Sequence, residues 1–67
     1  MDRVTKINKL KNKIVVLKSN LSKTDYQAIK YAEGALTFEE YAETMQKRRD
    51  WRTEINSAES EIKMLGG

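Results

Sequence analysis

The stretch Lys47 to Ile55, KRRDWRTEI, sets Lys47, Arg48, Arg49 and Arg52 around Trp51, the only tryptophan in a chain of 67 residues. Cations interleaved with an aromatic ring can hold a nucleic acid, the charges tracking phosphates and the ring stacking on a base. A second basic set, Lys6, Lys9 and Lys13, is spaced to share one face of a helix, with Lys11 and Lys18 on its other flank. Such a ridge could follow a phosphate backbone; it is also the ordinary solvent face of a small helical protein. The remaining concentration of charge is acidic, Glu33, Glu39, Glu40 and Glu43. These carboxylates could imitate phosphate charge toward a nucleic-acid-binding protein, or could do no more than cap a helix and complement its N-terminal dipole.

Catalytic chemistry finds little to work with. The chain has no histidine and no cysteine. The usual general base near neutrality, the thiol nucleophile and the soft metal ligands are therefore missing, and no glycine-rich loop is present to cradle a phosphate. The reading is a protein that is not an enzyme, with no catalytic residue, cofactor or metal site. No apolar run approaches the roughly 20 residues that span a bilayer, and no apolar block marks a secretory signal. A soluble, cytoplasmic protein without a membrane partner is expected.

Net charge is +3, unevenly spread. Residues 1–23 carry seven cations against Asp2, residues 24–47 carry Lys30 and Lys47 against five carboxylates, and residues 48–67 balance. The first segment is basic and the middle acidic.

The elements that must position these groups are helical. There is no proline, and the only glycines are Gly34, Gly66 and Gly67. Val4, Ile7, Leu10, Ile14, Leu17 and Leu21 step by three and four, the apolar stripe of a coiled-coil helix, and predict a helix over about 3–21. Thr24-Asp25-Tyr26-Gln27 and Thr37-Phe38-Glu39-Glu40 both read as capping boxes. The first predicts a short helix over about 25–33, closed by Gly34; the second opens a long helix over about 38–65, closed by Gly66 and Gly67.

In the long helix, Tyr41, Arg48, Ile55 and Ile62 fall on one seam position and Thr44, Trp51, Ala58 and Leu65 on the other. Trp51 and Arg48 then face inward, which argues for packing over base stacking. The resulting architecture is all-α: residues 1–67 as one domain, an antiparallel coiled-coil-like hairpin of two long helices with a short capping helix between them. Pairing Lys13 with Glu54 and Lys6 with Glu61 sets Ile14 opposite Trp51 and Leu17 opposite Arg48. The long helix would then overshoot the first, and Tyr26, Ile29, Ala32 and Leu36 would close a well-packed cluster over Phe38 and Tyr41.

A two-helix hairpin covers only one side of each helix, and Val15, Val16, Ile62 and Leu65, if uncovered, would be hidden by a partner or a second copy. Tyr31, Met45, Arg49 and Arg52 are residue types that dominate protein interfaces, and they join the acidic set as partner-binding candidates.

The string DYQAIKYAEGALTFEEYAETMQKRRDWRTEIN, Asp25 to Asn56, resembles small proteins encoded in phages and prophages. In these a DY-x-x-IK opening is followed by a variable segment and an xxRxxWRxxIN helix. The matching residues are Asp25, Tyr26, Ile29, Lys30, Arg48, Trp51, Arg52, Ile55 and Asn56, in a region of about half of the 67-residue chain. The lysine-rich first segment is not part of it. The resemblance implies a viral origin, and with it either of two binding roles. One is inhibition of a bacterial host protein, such as a defence or nucleic-acid-processing enzyme; the other is a part in virion assembly or the tail. A small RNA- or DNA-binding hairpin dimer using Lys6, Lys9 and Lys13 is the third reading.

Overall fold

The computed structural model describes residues 2–66. It is all helical among those residues: α1, Arg3–Ala32, and α2, Phe38–Met64, packed against each other and joined by a short turn. Contacts run in opposite directions along the two helices. Lys13 meets Glu54, Leu21 and Asp25 meet Arg48, and Tyr31 meets Tyr41, so the pair is an antiparallel hairpin.

Each end of this arrangement is written locally. The Asp2 carboxylate accepts from the Thr5 amide at 2.8 Å and starts α1. Gly34, at φ +82°, supplies the left-handed turn after it, where a residue with a Cβ would be strained. Thr37 and Glu40 then form a reciprocal capping box, with the Thr37 amide donating to Glu40 Oε1 at 2.9 Å and the Glu40 amide donating to Thr37 Oγ1 at 3.1 Å. Gly66, at φ +84°, follows the end of α2; Gly67 lies outside the described residues.

The expected short capping helix is absent, because α1 runs unbroken to Ala32. Thr24 does not act as an N-cap. Its hydroxyl shares its proton between the carbonyls of Asn20 and Leu21, at 2.9 and 3.1 Å, a bond that a mid-helix threonine makes. Without glycine or proline near residue 24, nothing breaks the helical ladder there.

With α1 complete, α2 no longer overshoots, and the register moves by about one heptad, or two turns, so that Tyr41 stacks on Tyr31 and Arg48 bonds Thr24. Arg48 reaches Leu21, Thr24 and Asp25, not the level of Leu17. Lys13 and Glu54 do approach, at 3.8 Å, but Lys6 and Glu61 form no ion pair among the described residues.

The core is the seam itself: Ile14, Leu17, Ile55 and Ala58 are buried, with Leu10, Leu21, Trp51 and Ile62 packed against them. The expected aromatic cluster at the turn is not the best-packed region. Tyr26, Ile29 and Phe38 are each more than half exposed, and Tyr41 stacks instead on Tyr31, expected as a partner-binding residue, with centroids 4.7 Å apart. Val4 also falls outside the seam.

The rod measures 47 by 15 by 15 Å and exposes 5055 Å². A compact 7.8 kDa protein exposes about 4,400 Å². Among the described residues no side chain is less than 2 % exposed, so apolar burial is shallow.

Candidate interaction surfaces

Arg48 is the one charged side chain that the fold buries, at 6 % exposure. It does not reach out to water. Its Nη1 donates to the Leu21 carbonyl at 2.8 Å and to Thr24 Oγ1 at 2.7 Å, while Nη2 donates to Asp25 Oδ1 at 2.9 Å. A guanidinium presents its donors as a planar fork, so one residue can satisfy a carbonyl, a hydroxyl and a carboxylate set on successive positions of one helix. This network is structural. It holds the register and leaves no buried side-chain polar atom unpaired among the described residues.

Two shallow grooves follow, one on each flank of the seam. The first runs beside Leu10 and Ala58 and is lined by Lys13, Glu54, Glu61 and Met64. The second runs beside Ile14 and Ile62 and is lined by Lys18, Glu59 and Lys63. They differ in charge. In the first, the basic edge of α1 meets the carboxylates of α2, so the candidate ridge of Lys6, Lys9 and Lys13, exposed as expected, is partly neutralised.

The acidic candidates gather around the turn, and two of the four, Glu40 and Glu43, have side-chain partners among the described residues. Glu33 is the C-cap of α1; Glu39 and Glu40 stand in the first turn of α2. The Thr37 backbone amide, then its side chain, holds the Glu40 carboxyl below the usual range, with Lys30 adding a weaker pull. The Thr5 amide does the same for Asp2. Glu43 pairs with Lys47 one turn on, at 3.3 Å. Caps and an i,i+4 pair account for much of this cluster.

Comparisons with protein-family models, with curated proteins and with solved structures return no match to this chain. Its surfaces must be judged on their own chemistry.

Of the partner-binding candidates, Tyr31 is drawn into the seam by its stack on Tyr41, and Met45 is half-buried. Arg49 and Arg52 are exposed. Trp51 is half-buried and packs on the core, which answers the question posed by its cationic neighbours: the indole belongs to the seam. The apolar surface lies elsewhere. Val15 and Val16, 66 and 59 % exposed, stand on the outer side of α1, with Tyr26 and Ile29 further along and Phe38 and Met64 on α2. Heptad phase was enough to find Val15 and Val16. Ile29 and Phe38 were hidden by the supposed break at Thr24, which turned them inward.

Proposed function

We propose that this hairpin is a non-enzymatic binding module that acts by covering part of a partner protein. Following the resemblance of residues 25–56, the setting is a phage-encoded protein in the bacterial cytoplasm. The partner is a host protein, such as a defence or nucleic-acid-processing enzyme, that the hairpin blocks. The observation that carries this reading is the unpartnered apolar surface. Six large apolar side chains, Val15, Val16, Tyr26, Ile29, Phe38 and Met64, are each more than half exposed on a chain of 67 residues with a shallow core. Exposed apolar side chains grouped together mark a binding face, and Tyr26, Ile29 and Phe38 gather toward the turn end of the rod.

The apolar side chains support this role better than the acidic end does, because Glu40 and Glu43 are already engaged by Thr37 and Lys47. Val15 and Val16 sit on the outer side of α1, while Ile29 and Phe38 stand on either side of the turn.

Stoichiometric capture from host lysate tests this reading when paired with surface variants. One dominant protein should be retained at one-to-one stoichiometry by the wild type and lost by Ile29→Ser with Phe38→Ser, both variants keeping their helix content. An empty capture, or a capture that ignores these substitutions, overturns it. Sedimentation of the pure protein adds a control: a tight dimer that covers Ile29 and Phe38 would assign the same surface to self-association instead.

A further inference from the structure

Heptad phase divides the surface charge very unevenly between the two flanks of the hairpin. Lys11 lies one heptad before Lys18, Arg52 one before Glu59, and Arg49 two before Lys63, so Lys11, Arg49 and Arg52 extend the flank of the second groove. On the first flank, counted the same way, Lys6, Lys9, Lys13, Lys23, Lys30 and Lys47 stand with Glu40, Glu43, Asp50, Glu54 and Glu61, and nearly cancel. On the second, Asp25 is taken by Arg48. Five cations, Lys11, Lys18, Arg49, Arg52 and Lys63, are left against Glu59 alone. The excess positive charge of the protein is concentrated on this side. Lys11, Lys18, Arg49 and Arg52 are all exposed and make no ion pair among the described residues.

We propose that the strip formed by Lys11, Lys18, Arg49 and Arg52 binds the phosphodiester backbone of nucleic acid. The register that brings Thr24 to Arg48 sets Lys18 across from the stretch between Arg52 and Glu59, so the two helices contribute to one strip. Lys11 continues it about 10.5 Å along α1. Exposed arginine and lysine without internal partners are what phosphate recognition uses, arginine as a planar fork and lysine as a point charge. A protein partner fits the middle of this flank poorly, because interface centres are depleted of charge. A second copy fits worse, since a two-fold contact there would bring two net-positive strips together. The basic ridge read from the sequence, Lys6, Lys9 and Lys13, belongs to the other side of the molecule, where Lys13 pairs with Glu54.

The test is fluorescence anisotropy with a labelled duplex of about 20 base pairs and arbitrary sequence, from roughly 50 to roughly 200 mM salt. Four phosphate contacts, each releasing about 0.9 of a counterion, lower the affinity about 10²-fold over that range. Lys18→Glu with Arg52→Glu abolishes binding, and Lys11→Gln with Arg49→Gln lowers the log–log salt slope by about 2. Lys6→Gln with Lys13→Gln leaves the slope nearly unchanged. Should the charge reversal fail to fold by circular dichroism, the neutral pair, made of two good helix formers on exposed positions, carries the test alone. No binding at the lowest salt overturns the proposal. So does retention of full binding by the flank variants, loss of binding in the Lys6 and Lys13 variant, or equal competition by polyglutamate at matched charge.

Discussion

Arg48 and Asp25 meet across the hairpin at 2.9 Å, the guanidinium almost wholly buried and the carboxylate more than half exposed. That asymmetry decides how the pair should be read. A fully buried ion pair costs about 3–5 kcal/mol when one partner is removed, whereas an exposed one is worth about 0–1 kcal/mol. Asp25 is wet and Arg48 is dry, so the loss depends on which partner is taken away.

Truncating Arg48 to alanine removes three hydrogen bonds and the packing of its stem, and should cost about 2–3 kcal/mol. Asp25→Asn should cost well under 1 kcal/mol, because Thr24 and the Leu21 carbonyl still receive the guanidinium. Chemical denaturation of both variants and the double variant measures the coupling. A coupling above about 3 kcal/mol would show that Asp25 is desolvated in solution.

Ile55 and Val15 make opposite predictions for the same kind of change. Ile55 is 6 % exposed at the centre of the seam, and Ile55→Ala should cost about 2–4 kcal/mol, enough to leave a hairpin with so shallow a core largely unfolded. Val15→Ala, at a helical position 66 % exposed, should leave stability within about 0.5 kcal/mol of wild type or raise it, since alanine is the better helix former. Thermal melts followed by circular dichroism at two protein concentrations check both. A clear loss in Val15→Ala that grows with protein concentration and shrinks on dilution would show that a second copy covers this face.

Gly34 should not tolerate a side chain. Its φ of +82° lies in the left-handed region, yet a Cβ there would meet nothing within 4 Å, so the penalty is purely conformational. Gly34→Ala is expected to cost about 1 kcal/mol, visible as a lower melting temperature with an unchanged spectrum. Gly34→Asn should cost less.

The two capping carboxylates give the fold a pH dependence at the acid end. Asp2 and Glu40 both sit below their ordinary values of 3.8 and 4.5 because amides donate to the charged form. A carboxyl depressed in the folded state contributes its stability above the unfolded value and loses it as pH falls through the folded value. Helix content should therefore hold above pH about 5 and fall as the pH drops below about 4. Glu40→Gln should flatten part of that fall while keeping the amide side of the cap; an identical acid profile in this variant would rule out Glu40 as a contributor.

Much of this fold can be read directly from residue types. The stripe Ile7, Leu10, Ile14, Leu17 and Leu21, the seam of Tyr41, Arg48, Ile55 and Ala58, the capping box at Thr37 and the stop at Gly34 are local statements, and each reappears in the structure where spacing placed it. An amphipathic stripe has a period that no tertiary contact needs to supply, and a cap satisfies amides only three residues away. Arg49 and Arg52 likewise emerge exposed, as their phase required.

Thr24 is where local reasoning fails. Its sequence context is as good a capping box as that of Thr37, but a cap is worth about 1 kcal/mol, and an unbroken ladder that also brings Thr24 and Asp25 to a buried guanidinium outweighs it. The consequence spreads: one helix in place of two, a register moved by about two turns, and Ile29 and Phe38 turned outward. Which lysines find carboxylates opposite them is settled the same way. Charge along the chain is fixed by the residues, but its cancellation on one flank and accumulation on the other depends on how two helices slide past each other, and that is determined by where a desolvated arginine can find its acceptors.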